Sequence, residues 1–221
     1  MFQHLNQISD IQLGHPFRTG IENKADGDID IIQQKDVFSI DQRTTLDSFV
    51  FLRGSKDDFY QLDKYILQYG DLLFRSRGVT PTVVQYCEDN NNLYSPTPLD
   101  DGAERGTHEH NRQQRLKLFA SPLIRLRVTH QSLLPEYLKL WINSIPAQDY
   151  FTKNLRGQSM KYIDMQTLAN LEVPVIPLHK QKQVIEMENL SRKEETITTQ
   201  LIHKKQIYYR NAFTNFIHQS A

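Results

Sequence analysis

The chain has 221 residues, 38% of them hydrophobic and 24% charged, with acidic and basic side chains equal in number. That length holds one large domain or two small ones, and the composition excludes a disordered or fibrous chain. Zero net charge argues against a phosphate-rich partner, yet the charge is uneven: up to Asp63 there are eleven acids and six bases, leaving fifteen acids and twenty bases beyond it.

No apolar run is long enough to span a bilayer. Met1 to Asn6 show neither the basic nor the apolar region of a secretory signal. The lone Cys87 has no internal disulfide partner, so the expected location is the reducing cytoplasm.

Taken in chain order, Gly14-His15-Pro16-Phe17 opens a polar turn that runs through Gly27. Asp28-Ile29-Asp30-Ile31 then alternates as a half-buried strand does, and Gln33 to Val37 is expected to be the loop after it. Leu67-Gln68-Tyr69-Gly70-Asp71-Leu72-Leu73-Phe74 reads as a Gly-Asp turn feeding a strand, closed by Arg75-Ser76-Arg77-Gly78. Thr82 to Tyr86, rich in β-branched residues, is its expected partner strand. From Glu88 to Arg115 the sequence is polar, with three consecutive asparagines and His108-Glu109-His110, and reads as a long exposed loop.

Strands resume at Leu116-Lys117-Leu118 and Ile124 to Val128, where the period of two sets Arg125 and Arg127 on the face opposite Ile124, Leu126 and Val128. That second face is readable as the outside of the sheet. Ser132 is the expected start of a helix with Pro135 in its first turn. Val173 to Leu178, with two prolines, reads as extended. After Pro177 no proline or glycine follows, which licenses one long helix. The expected fold is therefore α/β (α+β): a globular domain over 1–177 and a projecting helix over 178–219.

In that helix Leu190, Ile197, Leu201 and Tyr208 follow a three-four spacing, while Glu194, Lys204 and Asn211 occupy the intervening seam positions. This is an imperfect coiled-coil seam, suited to pairing with another helix. The alternative is an amphipathic helix folded onto its own domain, and Val184, Ile185, Ala212, Phe213 and Phe216 lean that way at the ends.

These elements in their order resemble one half of the DNA-specificity (S) subunit of type I restriction-modification systems. The resemblance rests on Gly14, Phe17, Ile29, Ile31 and Lys35-Asp36-Val37; on Gly70-Asp71-Leu72-Leu73 through Arg77-Gly78; and on Leu134-Pro135-Glu136-Tyr137-Leu138, Gly157-Gln158-Ser159 and Val173-Pro174 to Gln181. The junction departs from the usual paired prolines, reading Val175-Ile176-Pro177-Leu178-His179. The resemblance implies a target-recognition domain with one spacer helix, hence a half-subunit that meets a bipartite site in double-stranded DNA by pairing with another copy or a related half. It also implies partner methyltransferase and nuclease or translocase subunits, and antiparallel pairing of the spacer helices.

Bases are read by Arg, Lys, Asn and Gln, and phosphates by positive charge or amide donors. The candidate DNA-binding residues are Arg75 and Arg77; the cluster Arg156, Gln158, Ser159, Lys161 and Tyr162 around Gly157; and Gln33 and Lys35, with Gln34 between them. Each group has a plain alternative as a solvated loop, or for the second a turn that caps the next helix. The candidate pairing residues are Leu190, Ile197, Leu201 and Tyr208.

A glycine-rich loop after a strand and an Asp…Glu-x-Lys triad are both missing, so a methyltransferase or nuclease of its own is not expected, nor a metal or cofactor. Asp71 and Glu88 are the nearest acids to such a triad. The remaining alternatives are a protein-interaction module and an inactive truncated remnant of a specificity subunit.

Overall fold

The structure is a computed structural model that describes residues 1–17, 29–40, 43–46, 52–54, 62–86 and 116–220. The polar segment expected as a long loop, with His108 and His110, and Cys87 lie outside these residues.

The chain begins with strand β1 (Phe2–His4), one short helical turn α1 (Leu5–Ile8) and strand β2 (Ser9–Leu13). Leu5 and Ile8 are fully buried, which fixes the turn as a plug in the core. The His4 amide donates to Gln7 Oε1 (3.1 Å), tying off the start of the turn.

β2 is the edge of a sheet ordered β2, β10 (Leu123–Val128), β7 (Leu72–Arg75), β8 (Thr82–Gln85), with antiparallel neighbours throughout. The expected pairing of Leu72–Phe74 with Thr82–Tyr86 is borne out. Gly70, at φ 86°, makes the turn into β7 and donates to the Tyr86 carbonyl (3.0 Å).

Helices cover one face of this sheet. Leu72, Phe74, Val83, Ile124 and Leu126 pack against Tyr137, Leu138 and Ile142 of α2 (Pro135–Ile142) and Phe151 of α3 (Ile145–Lys153). α2 begins at Pro135, with Leu134 in the capping position; Ser132, the expected start, lies in the turn before it, where its amide donates to His130 Nδ1 (3.2 Å). Proline at the first helical position fixes φ without costing a hydrogen bond.

The opposite face meets a second layer. Leu73, Val84 and Leu123 pack with Ile32, Val37 and Phe119. That layer is a sheet ordered β6 (Leu52–Gly54), β3 (Ile29–Ile32), β9 (Leu116–Phe119), with β3 and β9 parallel. Gly14 sits where this layer touches the first: a Cβ there would lie 2.4 Å from the Ala120 carbonyl carbon.

Two expectations fail because of this layer. β3 is buried on both faces, not half-buried, and its Asp30 is paired with Lys117 of β9. Arg125 and Arg127 do share the face opposite Ile124 and Leu126, but that face is covered, wholly at Arg125 and half at Arg127. Arg125 is buried, paired with Asp10, bonded to the Lys64 carbonyl and stacked near Phe119. Arg127 grips the buried Asp71 through Nε and Nη2, each at 2.7 Å. A third correction is local: Gln34–Asp36 form a 3-10 turn and Val37 begins β4 (Val37–Ile40), which pairs with β5 (Arg43–Leu46).

The domain closes with α4 (Met165–Ala169), capped by the Asp164 carboxylate, and β11 (Glu172–Pro174), which pairs with β1. From Leu178 the chain runs as α5 (Leu178–Ser220), 43 residues, or about 65 Å at 1.5 Å per residue. The root of α5 is held by Gln181, fully buried, which accepts from the Leu134 amide and donates to the carbonyls of Ser132 and Ile176. Ile185 packs on the core, and beyond it the helix leaves the domain: Leu190, Ile197, Leu201 and Tyr208 are all more than half exposed.

Candidate nucleic-acid interface

Three segments far apart in sequence meet at one edge. The first is Ser76–Gly78, the loop that leaves β7. Ser76 is buried, its hydroxyl donating to the Pro122 carbonyl (2.8 Å), which fixes the loop's base and leaves Arg77 exposed.

The second is the turn from Arg156 to Tyr162. Their amides and carbonyls are mutually bonded at 2.9 and 3.0 Å, which closes the turn. Gly157 has φ 85°, and a Cβ on it would lie 2.2 Å from the Met160 carbonyl oxygen. The turn itself therefore demands glycine, whatever approaches from outside. Gln158, Ser159, Lys161 and Tyr162 all stand exposed on it.

The two segments are joined as a short ladder. Tyr162 bridges Arg77, the Gly78 amide donates to the Lys161 carbonyl (2.9 Å), and the Ile163 amide to the Ser76 carbonyl (2.8 Å). The third segment is the turn after β3, where Gln34 Nε2 donates to the Arg77 carbonyl (3.0 Å). The Gln33 amide donates to the buried Asp36 carboxylate (2.7 Å), shaping a turn on which Lys35 is exposed. All three groups of residues singled out as DNA-binding candidates are thus neighbours in space.

The edge is cationic and rich in amides. Lys35, Arg77 and Lys161 are exposed on it, and Arg75 is half-buried, its Nε without a hydrogen-bond partner among the described residues. The Arg75 guanidinium lies over Gly78, where a Cβ would sit 3.5 Å from Nη2. Arg156 is different, because its guanidinium reaches Asp164 Oδ2 at 2.6 Å. The Thr167 amide, and with it Arg156, holds the Asp164 carboxylate below its usual range. Asp164 and Ser76 were not singled out from sequence; the Asp-x-x-Thr spacing before α4 is the one signal that marks the former as a cap.

Leu190, Ile197, Leu201 and Tyr208 lie on α5, apart from this edge. Asp71, one of the two acids nearest a nuclease pattern, is bound to Arg127, and Glu88 lies outside the described residues. Among the described residues no group of three or more His, Cys, Asp or Glu is placed to hold a metal ion, and no helix is long and apolar enough to cross a membrane.

Fold and edge define a mixed α/β domain that projects one long helix. No protein-family model matches the sequence, and no curated protein does either. Among solved structures the chain is similar to one from a study of complex assembly and conformational transition of the type I restriction-modification system, with TM-score 0.51 and 13% identity over 88% of this chain and 38% of that one. The S subunit of a type I restriction-modification system from M. genitalium gives 0.49 and 10% over 86% and 38%, and the HsdS subunit from Thermoanaerobacter tengcongensis 0.48 and 13% over 90% and 38%. At such identities the likeness is one of fold, and the chain spans 38% of each of those chains.

Proposed function

We propose that this chain is a sequence-specific DNA-binding half-subunit of a type I restriction-modification system, with residues 1–177 as the recognition domain and 178–219 as the spacer and pairing helix. The observation that carries it is the meeting of the 33–35, 75–78 and 156–162 segments at one edge, where backbone bonds hold the loops and leave Lys35, Arg77, Gln158 and Lys161 facing outward. Rigidly held loops with outward Arg, Lys and Gln are what base-edge and phosphate contacts require. The likeness of fold to a structure from the type I restriction-modification system supports this reading.

In this reading the protein performs no catalysis. Arg77 and Gln158 read bases, Lys35 and Lys161 hold phosphates, and methylation and cleavage belong to partner subunits in the cytoplasm. Two copies joined through α5 present two like domains to an inverted repeat with a fixed spacer.

The test is selection of bound duplexes from a random pool, followed by titration of the enriched sequence across salt. The expected result is an enriched two-part inverted repeat whose affinity falls steeply with salt, the slope dropping by about one for Lys161→Ala. Absence of enrichment together with salt-independent behaviour would favour the protein-interaction alternative.

A further inference from the structure

Two charged residues interrupt the exposed seam of α5, and their positions carry information that the apolar residues do not. Glu194 and Lys204 take seam positions between Leu190 and Tyr208, and both are exposed. On a solvated helix face such charges are ordinary and set no register. In a paired helix each faces a partner residue, so the partner's identity at that level sets the cost.

Side by side in parallel and in register, two copies would set Glu194 against Glu194 and Lys204 against Lys204. Antiparallel about the level of Thr199, the outcome reverses. Thr199 is the midpoint of Glu194 and Lys204, and equally of Ile197 and Leu201, of Leu190 and Tyr208, and of Met187 and Asn211. Each Glu194 then meets a Lys204, each Ile197 a Leu201, and each Leu190 a Tyr208. A slip of one heptad destroys the match: Lys204 falls opposite Leu201 or Met187, and Glu194 opposite Asn211 or Ile197. No other register of this seam pairs both charges.

Resting on the reading that α5 pairs antiparallel with a second copy of the same chain, we propose that Glu194 and Lys204 are the residues that select the register of that pair, centring it at Thr199. Like-charge layers disfavour the parallel form, and unpaired seam charges the slipped ones. The charges thus give up some stability of the pair in return for one geometry.

The test uses the full chain with Cys87→Ser and measures dimer dissociation by sedimentation equilibrium. Glu194→Lys and Lys204→Glu, each creating two like-charge layers, are expected to weaken the dimer on the order of tenfold or more, and the double exchange to return it to within about threefold of the parent. Orientation is read separately: Ile197→Cys mixed with Leu201→Cys should form a mixed disulfide on oxidation, while Ile197→Cys alone should not link to itself. A dimeric parent whose double exchange gives no recovery, or an Ile197→Cys self-link, overturns the register and leaves pairing intact. A parent that stays monomeric at all concentrations removes the pairing reading and the register with it.

Discussion

Replacing Gln181 should loosen the root of the long helix by an amount that its hydrogen bonds allow to be worked out. The side chain is fully buried and makes three bonds, accepting from the Leu134 amide at 2.9 Å and donating to the Ser132 and Ile176 carbonyls at 2.7 Å each. Gln181→Met keeps the volume and removes all three. At about 1 kcal/mol net for each bond the loss is about 3 kcal/mol. For a domain of this size that lowers the melting temperature by roughly 6–12 °C.

Gln181→Glu sharpens the test. It keeps an acceptor for Leu134 but turns an acceptor toward two carbonyls, so burial and repulsion raise the carboxyl pKa in the folded state. A raised folded pKa means that this variant is most stable below the ordinary carboxylate range and weakens as pH climbs through the folded value. Thermal unfolding followed by circular dichroism at several pH values reads both effects, with Lys182→Ala on the exposed side of the same turn as control. A change under about 0.5 kcal/mol for Gln181→Met, or a Gln181→Glu profile that does not fall with pH, would refute the assignment of Gln181 as the clasp.

Gly157→Ala should strain the left-handed turn by about 1–2 kcal/mol and push the Met160 carbonyl away; we expect faster amide exchange at Gly78 and Ile163, at least tenfold weaker DNA binding, and a melting temperature lowered by roughly 2–8 °C. Arg127→Met should destabilise the fold by about 3 kcal/mol in urea titrations by leaving Asp71 buried without its cation, and Asp71→Asn added to it should recover most of that loss. The Asp164 pKa is held below its ordinary value of 3.8, chiefly by the Thr167 amide. Its contribution is therefore present above that value and lost as pH falls below it through the folded pKa, so Asp164→Asn should flatten the acid side of a stability profile.

Much of the fold was legible because it rests on local chemistry. Gly70-Asp71 before an apolar run, Pro135 at a helix start and the absence of breakers after Pro177 each act on the backbone of neighbouring residues, and each placed its element. The failures have a shared cause. Asp30, Arg125 and Arg127 read as surface residues on their own strands, and only contacts from other segments cover them: Lys117 of β9 on Asp30, Asp10 and the Lys64 carbonyl on Arg125, and Asp71 on Arg127. Periodicity reveals that two faces differ, not what covers them. The opening Phe2–Leu13 carries no turn signal and becomes β1, α1 and β2 through pairing with β11 and β10, partners more than a hundred residues away. At the candidate interface the residue types were legible, whereas their meeting depends on the Gly78–Lys161 and Gln34–Arg77 bonds between distant segments.

The pairing of β1 with β11 makes α5 a lever with a short fulcrum. β11 ends at Pro174, four residues before the helix, and its only ladder partner among the described residues is a strand of three residues that continues through α1 into the edge of the central sheet. Tilt applied far along α5 is thus delivered through β11 to residues 1–5 and onward to the sheet, and through the buried Gln181 to the start of α2. Over about 65 Å a 5° change at the root moves the far end by about 6 Å, close to two base-pair steps of about 3.4 Å. A joint that small must be stiff if the distance between two distant binding surfaces is to be counted in whole base pairs.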